Sequence, residues 1–364
     1  MPLFGIGLLR FILATAVVMG HTSRIWGYTF LDGATAVETF YIISGFYMAM
    51  ILDSKYSKLS LFYSNRFLRL YPIYVTVLLL TILFSLLQLH LPGNGGVLSR
   101  YLQYSHSMSP FTFIFLIVTN LCMIGQDWVM FLGFHLDTGL LYFTSNFNAT
   151  NPPQHSFLFI PQAWTLGVEI SFYLMAPWLT KRSTRFIALL ALFDLLIRAV
   201  FHKIGFHYDP WSYRFFPFEL VLFLGGILSY RYMRHYYRTW SIARCRAASA
   251  ILIVVTLLFP NLPIPYLFRM WFYYALVMFT IPYAFNFAAK SWIDRAIGDL
   301  SYPIYISHVF LIHLYETILG RSDDSRPVPG LWVIPSAVLF AFLLQKWIQH
   351  PIDRYRERQL IKLT

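Results

Sequence analysis

Residues 3–21 read LFGIGLLRFILATAVVMGH. The run is apolar over a length close to the roughly 20 residues that cross a bilayer. Two residues punctuate it, Arg10 in the middle and His21 at the end, eleven positions later. At about 100° per residue, eleven steps return to within roughly 20° of the start, so both side chains share one helix face. At about 1.5 Å per residue they stand roughly 16 Å apart along the axis, about half a hydrocarbon core. A membrane helix with one polar stripe turns it toward protein or a wet cavity. A snorkelling Arg with an interfacial His is the ordinary alternative. The remaining polar motifs favour a polar track through the membrane.

Composition extends this reading to the whole chain. Of its 364 residues, 58% are hydrophobic and 12% charged, with a mean hydropathy of +0.58; soluble domains carry about 25% charged residues. This predicts an all-α fold, one polytopic membrane helix bundle occupying residues 1–364 as a single domain. No cleavable leader is expected. Cys122 and Cys245 lie too far apart in sequence to suggest a disulfide framework or a metal-ligand spacing. The eleven histidines are scattered and form no His-Glu-x-x-His pattern, so no metal is expected.

Placement explains the net charge of +12. Segments 53–69, 180–186, 231–246, 288–299 and 346–364 together carry +14, more than the whole excess. Such clustering is the positive-inside signature of a membrane protein and argues against a nucleic-acid partner. Expected spans are 4–21, 35–52, 70–90, 163–179, 184–202, 214–231, 247–264, 266–287, 300–319 and 331–349. With all five basic segments cytoplasmic, the stretch 111–143 must cross an even number of times or not at all. Gly125-Gln126-Asp127 interrupts it and Asn120 lies within it. It reads as a re-entrant or broken segment packed against protein, because irregular backbone cannot face lipid. The result is about ten crossings with both termini cytoplasmic, an outer loop at 144–162, and no internal repeat.

Four further stretches carry polar groups in or beside spans. Glu38, Tyr41 and Gly45 fall on one helix face, and Glu38 is placed to meet His21 across a short loop. A carboxylate there would orient the imidazole and raise its basicity; a hydrated interfacial Glu is the alternative. Arg66 and Arg69 lie one turn apart, followed by Tyr71-Pro72. With Pro72 in a first helical turn, two guanidiniums beside a helix N-terminus suit a phosphate; a plain topology anchor is the alternative. Glu169, after Trp164, sits in a span free of basic residues from 163 to 180. An acid there is a functional candidate, or a structural partner for Arg10 or Arg198. Ser301, Tyr305 and His308 form one stripe, which serves either a track or an interhelical network.

In order, these stretches resemble the acyltransferase-3 family of integral membrane acyltransferases. The shared marks are Arg10 and His21 separated by ten residues, Ser44-Gly45-Phe46, Arg66-x-x-Arg69-x-Tyr71-Pro72, Trp164-x-Leu166-x-x-Glu169 and Ser301-Tyr302-Pro303-x-Tyr305-x-x-His308. The resemblance runs from Leu3 to about Tyr355. Two features depart from the family pattern. The glycine near Glu38 is displaced, and the late Glu-x-Pro reads Gln349-His350-Pro351.

The resemblance implies transfer of an acyl group, usually acetyl, from cytoplasmic acyl-CoA to a hydroxyl of an extracytoplasmic carbohydrate such as an exopolysaccharide, an O-antigen or another glycan. Acyl-CoA is then the donor, and the partners are the carbohydrate acceptor and membrane lipid. The setting is a bacterial-type inner membrane. His21 takes the hydroxyl proton or carries the acyl group, with Glu38, Arg10 and Glu169 in the catalytic set. Arg66, Arg69 and Tyr71 bind the donor, while Trp164, Ser301, Tyr305 and His308 line the path. A proton-coupled secondary transporter is the reading from another class, since broken helices and an intramembrane Glu and His suit a carrier. The absence of internal repeats counts against it.

Overall fold

All ten segments expected as spans are helices in the computed structural model, which describes residues 5–28, 31–54, 58–90, 96–320 and 327–361. They are α1 (Ile6–Gly20), α2 (Gly33–Ser54), α3 (Leu59–Gln88), α6 (Trp164–Leu179), α7 (Thr184–Lys203), α8 (Phe216–Tyr236), α9 (Ile242–Leu258), α10 (Tyr266–Ala288), α12 (Ser301–Ile318) and α13 (Gly330–Leu344). Between and after them lie α4 (Gly96–Tyr104), α5 (Pro110–Cys122), α11 (Trp292–Asp299) and α14 (His350–Ile361). By length and apolarity, four of the described helical stretches suffice to cross a membrane: Gly33–Ser54, Leu59–Gln88, Ile242–Asn261 and Gly330–Arg358. Large apolar side chains such as Leu79, Leu189, Phe279 and Leu339 stand exposed on the helices' outer faces, as lipid-facing surfaces require.

Glycine sets the closest helix crossings. A Cβ on Gly45 of α2 would fall on the Phe223 carbonyl of α8, and one on Gly226 of α8 would fall on the Ile42 carbonyl of α2. Small residues facing each other let two backbones touch, the main source of packing energy where lipid is as apolar as leucine. Gly7 of α1 and Gly298 of α11 meet in the same way. These crossings bring α1, α2, α8 and α11 together around the polar interior.

The segment 111–143 does not run through as one helix. Ser109 caps α5, accepting from Thr112 N at 3.2 Å. At 13 residues α5 is about 20 Å long, short of the roughly 30 Å core. Met123 and Gly125 then adopt positive φ, 61° and 78°, and turn the chain. Beyond the turn lie a short 3-10 turn and an antiparallel pair, β1 (Leu132–Phe134) and β2 (Leu141–Phe143). This hairpin departs from an all-helical chain. Asn120 secures the break: its amide nitrogen donates to Leu116 O at 2.9 Å and Phe157 O at 3.1 Å, and its oxygen accepts from Phe159 N at 2.9 Å. The irregular backbone is thereby satisfied by protein.

Segment 53–69 is another departure. α3 begins at Leu59, so Arg66 and Arg69 stand within a helix rather than before one, and Pro72 is internal. A proline in a helix leaves the carbonyl four residues back without its donor. Here that carbonyl, Leu68 O, accepts from Gln349 Nε2 at 3.4 Å. Gln349 closes a π turn, Gln345–Gln349, that joins α13 to α14. The widened turn and the internal proline meet, and α14 is fastened to α3.

Candidate active site

A cavity of about 530 Å³ opens among α1, α2, α3, α6, α10, α11, α12 and α14. Its polar lining includes Arg10, Ser44, Arg66, Arg69, Glu169, Tyr173, Asp294, Arg295, Asp299, Tyr305 and Arg356. Five of these are arginines. Arg69 pairs with Asp299 at 3.4 Å, and Arg356 pairs with Asp353. Arg10, Arg66 and Arg295 have no carboxylate within ion-pair distance among the described residues, and Arg66 Nε is buried without an acceptor. Asp294 is committed elsewhere. Its carboxylate accepts from Gly5 N at 2.7 Å, Gly7 N at 2.9 Å and Leu8 N at 3.0 Å, capping the start of α1 from α11.

Glu169 accepts from Ser44 Oγ at 2.7 Å and from Tyr173 OH at 2.5 Å. Neither Arg10 nor Arg198 is its partner. The pair explains Ser44 in the Ser-Gly-Phe stretch: Gly45 lets α8 approach, and the serine before it reaches α6. Ser301 lines the cavity, with its hydroxyl donated to Gly298 O at 2.6 Å.

Tyr305 lies at the far end. Its hydroxyl donates to Gln162 O at 2.8 Å and accepts from Thr165 Oγ1 at 2.9 Å. Behind it sits His308, fully buried, with Nδ1 2.6 Å from Tyr305 O. Next comes His21, exposed at the end of α1, with Nδ1 2.9 Å from Val17 O. The two imidazoles are 5.0 Å apart between centroids. A carbonyl only accepts, so each Nδ1 carries the proton and each neutral ring presents its Nε2 lone pair. His308 Nε2 has no partner among the described residues. One tyrosine and one histidine thus separate a cationic cavity from an exposed imidazole.

Three expected residues are placed otherwise. Glu38 does not orient His21. It faces α7 and α10, accepting from Arg198 Nη2 at 2.9 Å and from Tyr274 OH. Arg198 is a buried cation that requires a carboxylate, and the second turn of α2 supplies it. Tyr71 stacks on Phe67 at 4.6 Å and does not line the cavity. Trp164 lies under the Arg214 guanidinium at 4.4 Å, outside the lining. In contrast, Arg10, Arg66, Arg69, Glu169, Ser301 and Tyr305 share one cavity, as a polar track requires.

Asp294, Arg295, Asp299 and Arg356 are cavity residues that the motifs do not mark. Segment 288–299 sums to zero charge, and that sum conceals two acids and an arginine that all line the cavity.

The fold and site thus define a helical membrane protein with a cation-lined interior cavity and a histidine pair beyond it. The chain belongs to the acyltransferase-3 family: that family's model, an acyltransferase domain, matches residues 3–346. It is an acyltransferase of the membrane. No curated protein and no solved structure matches it.

Proposed function

We propose that this enzyme moves an acyl group, acetyl in the first instance, from cytoplasmic acyl-CoA to a hydroxyl of an extracytoplasmic carbohydrate. The observation that carries the reading is the set of three guanidiniums on one cavity, Arg10, Arg66 and Arg295, that have no carboxylate partner among the described residues. Arg10 and Arg66 are partly buried and Arg295 is exposed; cations drawn partly out of water without a carboxylate suit an anionic ligand. The phosphates of CoA supply it, and guanidinium geometry suits phosphate. The cavity mouth then faces the cytoplasm with both termini, in a bacterial-type inner membrane, and His21 faces the acceptor. A glycan acceptor is supported by the family resemblance of the motifs.

In the transfer, His21 Nε2 takes the proton of the acceptor hydroxyl. The oxygen attacks the thioester carbonyl, the carbon–sulfur bond breaks, and the proton finally resides on the CoA thiol. Glu169 holds Ser44 and Tyr173 along the donor channel. Tyr305 must shift for the thioester to come within reach of His21.

The test is acetyl-CoA turnover by purified protein with a glycan acceptor, together with glycan O-acetylation in cells with and without the gene. His21→Gln keeps a hydrogen-bonding side chain but cannot take the proton. It is expected to lower turnover by about 10²–10⁴-fold with acetyl-CoA binding intact. Near wild-type turnover in His21→Gln would overturn the assignment of the base.

A further inference from the structure

The family model ends at residue 346, at the π turn, yet the cavity lining includes Arg356, ten residues farther on. We infer that Arg356 is a specificity residue for the donor's distal phosphate: its guanidinium takes the ribose 3′-phosphate of CoA and separates CoA thioesters from dephospho-CoA thioesters. The inference rests on the acyl-CoA reading above.

Arg356 is oriented before any ligand arrives. Its Nε donates to Asn65 Oδ1 at 3.0 Å, and its Nη1 bonds Asp353. Asn65 is itself fixed, its amide nitrogen donating to Leu61 O at 2.8 Å, which settles where its oxygen points. Gln349 Nε2 holds Asp353 at 2.9 Å and reaches the Leu68 carbonyl bared by Pro72. Nη2 remains without a partner among the described residues. A guanidinium with two edges used and one edge left over loses little freedom on meeting a phosphate. π turns recur at functional sites, and this one places α14 so that Arg356 reaches the cavity.

Position then selects the phosphate. Arg69 is an electrostatic neighbour of both Arg10 and Arg356, so the guanidiniums follow one another from α1 through α3 to α14. CoA is an elongated ligand with its thioester at one end. The pyrophosphate lies partway along, and the 3′-phosphate monoester is at the other end. With the thioester in the deep part near Tyr305, the monoester falls to the last guanidinium of the series. A monoester carries up to two charges, and a fork-shaped donor recognises it better than a point charge does.

The experiment compares CoA and dephospho-CoA by calorimetric titration of the full chain in detergent. The wild type is expected to bind CoA at least tenfold more tightly, a comparison that requires no variant to fold. Arg356→Gln is expected to bind CoA as weakly as dephospho-CoA while its dephospho-CoA affinity stays unchanged, and Arg356→Lys is expected to fall between. Equal affinity for the two ligands in the wild type would overturn the inference. So would an equal loss for both ligands in Arg356→Gln, which would make Arg356 a fastener of α14 to α3. In either case the donor reading would stand. A wild type that binds neither ligand would instead overturn the donor reading itself.

Discussion

Arg198 and Arg10 are both arginines inside the bundle, and they differ in company. Arg198 donates to Glu38 at 2.9 Å, Ser212 O at 2.6 Å and Phe218 O at 3.1 Å. It lies 3.5 Å from Glu219 and sits over Trp271. Both terminal nitrogens of its guanidinium are engaged, and α2, α7, α8 and α10 converge on it. Arg10 lines the cavity with no hydrogen bond to any described residue. A fully coordinated charge is a fastening, while an uncoordinated one beside a cavity marks where a ligand's charge belongs.

Breaking the fastening is the largest effect to look for. Arg198→Met leaves Glu38 and Glu219 buried without their cation. A loss of about 3–5 kcal/mol in stability is expected, read as earlier thermal unfolding in detergent. A melting curve like the wild type's would erase the distinction between the two arginines.

Arg66→Ala sharpens it from the other side. Stability should change by no more than about 0.5 kcal/mol, while acyl-CoA affinity falls by about 1.5–3 kcal/mol, the worth of a charge-assisted bond. Titration with acetyl-CoA alongside a melting curve separates the two readouts. Arg66→Lys should recover only part, because an ammonium cannot form the fork. If donor affinity were unchanged, Arg66 would be a topology anchor.

The smallest effect concerns the layer between the cavity and the histidines. Tyr305→Phe removes the hydroxyl shared by Thr165 and Gln162 O. A cost of about 1 kcal/mol in stability is expected, with kcat changed and the donor KM held. A shifted donor KM with constant kcat would place Tyr305 in donor binding instead.

The sequence makes some of this legible and conceals the rest for definable reasons. Helices are readable because a bilayer demands long apolar runs: all ten expected segments are helical, and four described helical stretches are long and apolar enough to cross a membrane. The break in 111–143 is readable because Gly125, Gln126 and Asp127 cannot continue a lipid-facing helix. Which way Glu38 points is not readable. α2 spreads polar residues such as Glu38, Thr39 and Ser44 around its circumference, so the Glu38–Tyr41–Gly45 stripe does not say which neighbour it meets, and the side chain that decides, Arg198, is 160 positions away. The internal position of Pro72 is hidden for the same reason. A proline reads as a helix start until the donor for its bared carbonyl is known, and that donor, Gln349, arrives 281 residues later. Charge sums mislead at 288–299, where opposite signs cancel in a total although Asp294, Arg295 and Asp299 all reach the cavity.

The cap on the first helix also sets a timetable for biogenesis. The backbone N–H of Gly5 waits for Asp294, 289 residues downstream. At a synthesis rate of about 5–20 residues per second, α1 stands without its anion for on the order of 15–60 s. During that time Arg10 has no finished cavity to face. The cavity therefore comes into being only as the last third of the chain leaves the ribosome. Any truncation before Asp294 leaves the oldest part of the molecule unfinished.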